Sequence, residues 1–199
     1  MPRLDLRFLL LAGVMILVSS YFSVQIPRVP TNVTVSDSFI FVVLLLYGGF
    51  AGIILAAVEG LCSGLRVSRG MRFGKKTLVI AFNGGMMACS TSITVLVVHY
   101  LFGPVIELRS HDLSFFIVAM GAMALTQYFS NTGLSAILIA VKEHTSIWRA
   151  WNAHYMWTSL TYVVGAAVAG ALANGVEKAG ISILFVTTPI ILIIYFTYQ

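Results

Sequence analysis

Charge is what this sequence has least of. Of its 199 residues, 12 are Lys or Arg and 7 are Asp or Glu, while 59% are hydrophobic. A soluble domain devotes about 25% of its residues to charge, enough to coat a water-facing surface. That shortage excludes a water-soluble globule. With no basic stripe on a polar fold, it also excludes nucleic acid as a partner. Cysteine is nearly absent: Cys62 and Cys89 both lie inside apolar runs with no ligand spacing, so neither a disulfide framework nor a metal site is expected. Catalytic signatures are missing as well. There is no HExxH and no GxSxG, and the acids within apolar runs are too few for the paired carboxylates of a membrane protease. Residues 70–76 echo a phosphate loop but follow an apolar run rather than a soluble strand. His99, His144 and His154 fall at opposite ends of their runs and offer no common haem plane. The expectation is a protein that is not an enzyme and holds no cofactor.

What the chain does have is a series of long apolar runs. The organising one opens polar at Thr34, Ser36, Asp37 and Ser38 and turns apolar at Phe39. Glycines break it at Gly48, Gly49 and Gly52, and it closes on Arg66, Arg69, Arg72, Lys75 and Lys76. A hydrophobic run ending in a block of cations is a membrane crossing with its inner end marked. Residues 38–65 would span about 42 Å as one helix. That is too long for one straight crossing of about 30 Å and too short for two of about 20 residues each. This second segment is therefore one crossing, tilted or broken at Gly48–Gly52, or a short re-entrant leg followed by a crossing. The glycines read as helix-packing ridges, Gly48xxxGly52 and Gly60xxxGly64, or as a discontinuous helix with backbone open to a ligand.

The other crossings follow in order. Residues 8–24 make a retained first span, because prolines at 27 and 30, not a cleavage signal, come after it. Residues 77–102, 113–140, 154–173 and 181–198 make the third to sixth. Residues 25–37 read as an outer loop, and residues 141–152 as an inner loop or surface helix. The fold class expected is all-α, a polytopic bundle of six transmembrane helices with both termini inside. Charge supports that count. The inner segments then hold Arg3, Arg7, Arg66, Arg69, Arg72, Lys75, Lys76, Lys142 and Arg149, and the outer ones Arg28, Arg109 and Lys178. Splitting 38–65 into two crossings would put the basic block outside, against the positive-inside rule.

Polar groups within apolar runs are costly and need partners. Glu59 lies two turns before Arg66 and reads either as an interfacial acid paired with Arg66, Lys76 or Asn83, or as a carboxylate facing a cavity. Asn83, beside Gly84 and Gly85, reads as interhelical glue or as part of a site. Gln127 and Asn131 are four apart, on one helix face, and with Tyr128, Ser130 and Thr132 they suggest a polar pocket. Trp148, Trp151, His154 and Trp157 form an aromatic ridge, an interfacial belt or a stacking platform. The candidate ligand-binding set is Glu59, Asn83, Gln127, Asn131 and Trp157.

The runs 35–41 and 59–64 around the glycine break, with Ala81-Phe82-Asn83 and the 189–198 ending, resemble the membrane-embedded sensor regions of bacterial signalling proteins. Those regions precede diguanylate cyclase, HD-type phosphodiesterase or histidine kinase domains. The resemblance implies an inner-membrane input module that binds a small molecule or lipid and relays to a cytoplasmic signalling domain following residue 199. The polar-then-glycine pattern also resembles the S components of vitamin transporters. That would imply a solute-binding subunit working with a transporter module, with residues 165–173 as a docking helix. A third expectation is a scaffold that forms a homodimer through its glycine faces. In every case the lipid bilayer is the first partner.

Overall fold

The structure, a computed structural model, describes residues 12–13, 23–25, 32–34 and 36–179. The expected sixth span, 181–198, and nearly all of the first, 8–24, lie outside the described residues. The described chain is helical apart from a small hairpin in the expected outer loop: β1 (Ser23–Gln25) pairs antiparallel with β2 (Asn32–Thr34), Val24 opposite Val33. Six helices follow: α1 (Ser36–Tyr47), α2 (Gly49–Val67), α3 (Phe73–Phe102), α4 (Leu113–Glu143), α5 (Ile147–His154) and α6 (Ser159–Ala179). Three of them, α2, α3 and α4, are long and apolar enough to cross a membrane, as befits a membrane protein.

The organising stretch is two helices, not one. Gly48 sits at φ 86°, ψ 177°, a conformation open in practice only to glycine. The chain reverses there. A Cβ on Gly52 would meet the Leu44 side chain and stand 3.6 Å from the Leu44 Cα, whereas eight residues of straight helix separate such atoms by about 12 Å. The glycine break is thus a fold-back, and Gly48 serves it as a turn, with open space where its Cβ would be, and not as a packing ridge. α1 is apolar on every side, and Ile40, Phe41, Val42, Val43, Leu44 and Leu45 are all fully buried. A helix without a polar face must be wrapped by protein or lipid. Here α2, α6 and the 3-10 turn Val105–Ser110 wrap it.

The second glycine pair does what a ridge should. A Cβ on Gly60 would lie 2.5 Å from the Asn83 carbonyl oxygen, and one on Gly64 would lie 2.7 Å from the Ile80 Cα. Gly84 answers from α3, where a Cβ would meet the Leu61 side chain at 2.7 Å. α2 and α3 therefore touch backbone to backbone, joined by the basic turn at 68–72.

α4 starts on Asp112, whose carboxylate accepts from the Phe115 amide at 3.2 Å, a standard N-cap. It ends on His144 at φ 52°. α5 begins at the Ser146 cap, which accepts from the Arg149 amide, and is the surface helix allowed as the alternative to a loop, with Ile147 and Trp148 more than half exposed. Ala150 packs on Ala136 and Ala140, Trp151 bonds Thr132, and Tyr155 meets Tyr128. The partners descend along α4 as α5 ascends, so α5 runs antiparallel to α4. With the 3-10 turn Met156–Thr158 and α6 it makes one interrupted rising segment. The exterior remains apolar, with Phe50, Leu96, Tyr100 and Val141 all more than half exposed.

Candidate functional site: a buried polar layer

At about half the depth of this apolar bundle, polar side chains from five helices meet. Asp37 stands in the first turn of α1 and Glu59 in α2, each ~17 Å along its helix from the Gly48 turn. Fold-back at Gly48 therefore brings two carboxyl groups to one level. Each acts electrostatically on its surroundings there: Glu59 lies close enough to Asp37 to repel its charge.

Gln127, fully buried, is the hub. Its Oε1 accepts from Thr94 Oγ1 at 2.8 Å and its Nε2 donates to Thr91 Oγ1 at 3.3 Å. The Asp37 carboxyl lies within hydrogen-bonding reach of both Gln127 and the Tyr162 hydroxyl. One turn along α4, Asn131 Nδ2 donates to the Tyr162 hydroxyl oxygen at 2.7 Å. The Tyr162 hydroxyl accepts from Asn131, so its own proton is free for another acceptor, and the Asp37 carboxyl is the acid it interacts with. Glu59, 3% exposed, has its own counter-ion: Arg66 reaches back to its Oε1 at 3.4 Å. Two acceptors remain over. Asp37 Oδ1 and Asn131 Oδ1 are buried with no hydrogen-bond partner.

An aromatic cluster borders the layer on the α5 side. Tyr128 packs against Tyr162, Trp151 and Phe129 at ring distances of 5.6, 5.8 and 5.0 Å. Its hydroxyl donates to the Tyr155 carbonyl at 3.1 Å, and the Trp151 indole donates to Thr132 Oγ1 at 3.0 Å. The layer is thus tied to α5 and to the α5–α6 junction.

Of the residues expected from sequence, Glu59, Gln127 and Asn131 meet here. Asn83 does not join them: its Nδ2 bonds the Val79 carbonyl of its own helix at 2.8 Å, and its backbone forms the α2–α3 contact. Trp157 lies in the turn Met156–Thr158, with its side chain outside the described residues. Trp148 and Trp151 stack at 5.4 Å. Asp37, Thr91, Thr94 and Tyr162 were missed. Asp37 reads as loop because it precedes the apolar run. The available signal was the run itself: a helix apolar on all faces must be enclosed, and so must the acid in its first turn.

An apolar groove of about 380 Å³ lies between α4 and α6, lined by residues such as Phe116, Met120, Ala124, Val163 and Gly170. It has no polar side chain to orient a ligand. Among the described residues, no group of three His, Cys, Asp or Glu could hold a metal ion. Comparisons with family models, with characterised proteins and with solved structures give no match.

Proposed function

We propose that this chain is a six-span inner-membrane input domain, both termini cytoplasmic, that binds a small ligand in its polar layer and relays occupancy to a cytoplasmic output domain. α1 is then a re-entrant half-helix, entering from the outer side with its N-terminus at mid-membrane, and α2 is the true second crossing. The observation that carries the reading is the pair of unpartnered acceptors, Asp37 Oδ1 and Asn131 Oδ1, in an otherwise satisfied buried network. Leaving a buried polar atom unpaired costs about 1–3 kcal/mol. A structure sustains that cost where a ligand recovers it.

The relay has a physical route. The aromatic cluster joins Asn131 and Tyr162 to Trp151 and the Tyr155 carbonyl, so a ligand that moves Tyr162 also shifts the α5–α6 junction on the side of the basic turn. The sensor reading is favoured over a transporter subunit by the place of the small residues of α6. Gly165, Ala166, Ala169, Gly170 and Ala173 are buried within the bundle, Gly165 against Ser38 and Gly170 against Phe116, and so do not form a free docking face. Native mass spectrometry after gentle extraction tests the proposal. A bound small molecule is expected on the wild type and is lost in Asn131→Leu. A bare wild-type mass, or a ligand peak that persists in the variant, refutes it.

A further inference from the structure

We infer that the polar layer is a site for a compact monovalent cation, either a protonated primary amine or an alkali-metal ion, held by Asp37 and Asn131. The inference rests on the ligand-binding reading above and names its ligand class.

Three observations converge. First, the unmet groups are both acceptors. Asp37 Oδ1 and Asn131 Oδ1 lack a donor, while Asn131 Nδ2 is bonded to Tyr162 and Gln127 Nε2 to Thr91. The Asn131 amide donates to the Tyr162 hydroxyl at 2.7 Å, and the Asp37 carboxyl interacts with that same hydroxyl, so both free oxygens belong to groups gathered around one phenol. A ligand that supplied acceptors, such as a carboxylate or phosphate, would add to the surplus; one that supplies positive charge removes it.

Second, the charge does not balance. The layer holds two carboxyl groups, Asp37 and Glu59, which repel one another. Arg66 is bound to Glu59. Asp37 has the N-terminal end of α1, equivalent to roughly half a positive charge, and its electrostatic partners, Glu59, Tyr162 and Gln127, include no cation. Two acids thus share one guanidinium, and a cation bound beside Asp37 would let both ionise within the apolar bundle.

Third, the surroundings suit one. The Tyr162 hydroxyl, bonded to Asn131 at 2.7 Å, adds a phenol oxygen to the set. Oxygen ligands from a carboxylate, a carboxamide and a phenol are hard donors that suit an alkali ion or an ammonium group, and none is the nitrogen or sulfur that a transition metal prefers.

The test compares thermal unfolding of the purified protein at constant ionic strength in N-methyl-D-glucamine chloride, sodium chloride and methylammonium chloride. A saturable rise in midpoint with sodium alone assigns an alkali-ion site, and a rise with methylammonium alone assigns an amine site. Asp37→Asn, which keeps the shape and removes the charge, is expected to abolish the rise. Asn131→Ser, which leaves Asp37 in place, is expected to raise the half-saturating concentration at least tenfold. Equal midpoints in all three salts overturn the inference and assign the spare acceptors to a proton or a buried water. So does an unchanged rise in both variants. A neutral or anionic ligand found by mass spectrometry together with salt-independent midpoints leaves the ligand-binding reading standing and removes only the cation.

Discussion

The backbone-to-backbone approach of α2 and α3 yields a sharp expectation. Replacing Gly60 by Ala places a methyl 2.5 Å from the Asn83 carbonyl oxygen, with the Gly84 Cα at 2.9 Å. Both neighbours are backbone, so no rotamer change relieves the clash, and the helices must part. Overpacking of this kind costs about 1–3 kcal/mol, offset in part by the helix propensity Ala gains over Gly, about 1 kcal/mol. Gly85→Ala is the matched control, because a Cβ there meets nothing within 4 Å and only the propensity gain applies. The two variants should differ by about 1–3 kcal/mol, Gly60→Ala being the less stable. Unfolding followed by circular dichroism in a graded mixture of mild detergent and dodecyl sulfate measures the difference. Equal stability for the pair would show that the two helices do not pack through this glycine, and the α2–α3 contact would have to be redrawn.

Two further expectations concern charge. Arg66→Leu strips the Glu59 carboxylate of its guanidinium. Removing one member of a fully buried pair costs 3–5 kcal/mol, but Arg66 is 24% exposed, so a loss of about 1–3 kcal/mol is expected. Glu59→Gln added to Arg66→Leu should restore most of it, and a purely additive double variant in the same detergent titration would refute the pairing. The inner placement of the basic turn is checked with Met71→Cys in a chain also carrying Cys62→Ala and Cys89→Ala. A membrane-impermeant maleimide should leave intact cells unlabelled and label the protein after lysis. Labelling from outside would invert the proposed topology.

Much of this architecture is legible in composition. Apolar runs too long and too poorly charged for water fix the membrane class, and the five cations from Arg66 to Lys76 are the basis for the proposed orientation. The i, i+4 spacing of Gln127 and Asn131 places two polar groups on one helix face, and both belong to the layer. Of the two roles weighed for Glu59, the structure shows the pairing with Arg66. Asn83 is of the same residue type as Asn131, yet its amide turns to its own helix, because Gly60 brings a backbone so near that no side chain fits between. Sequence spacing carries no information on that distance.

What the sequence determined by itself is the solvent of each segment, since transfer free energy depends on the residues in a run and hardly on what they touch. Only the tertiary structure decided which polar groups share a level. Gly48 at φ 86° turns α1 back along α2, and through that one torsion angle Asp37 moves from the expected outer loop to the buried layer. Whether a glycine turns or packs is set by its backbone torsion and by what closes around it, Gly48 being open and Gly60 lying against the Asn83 backbone.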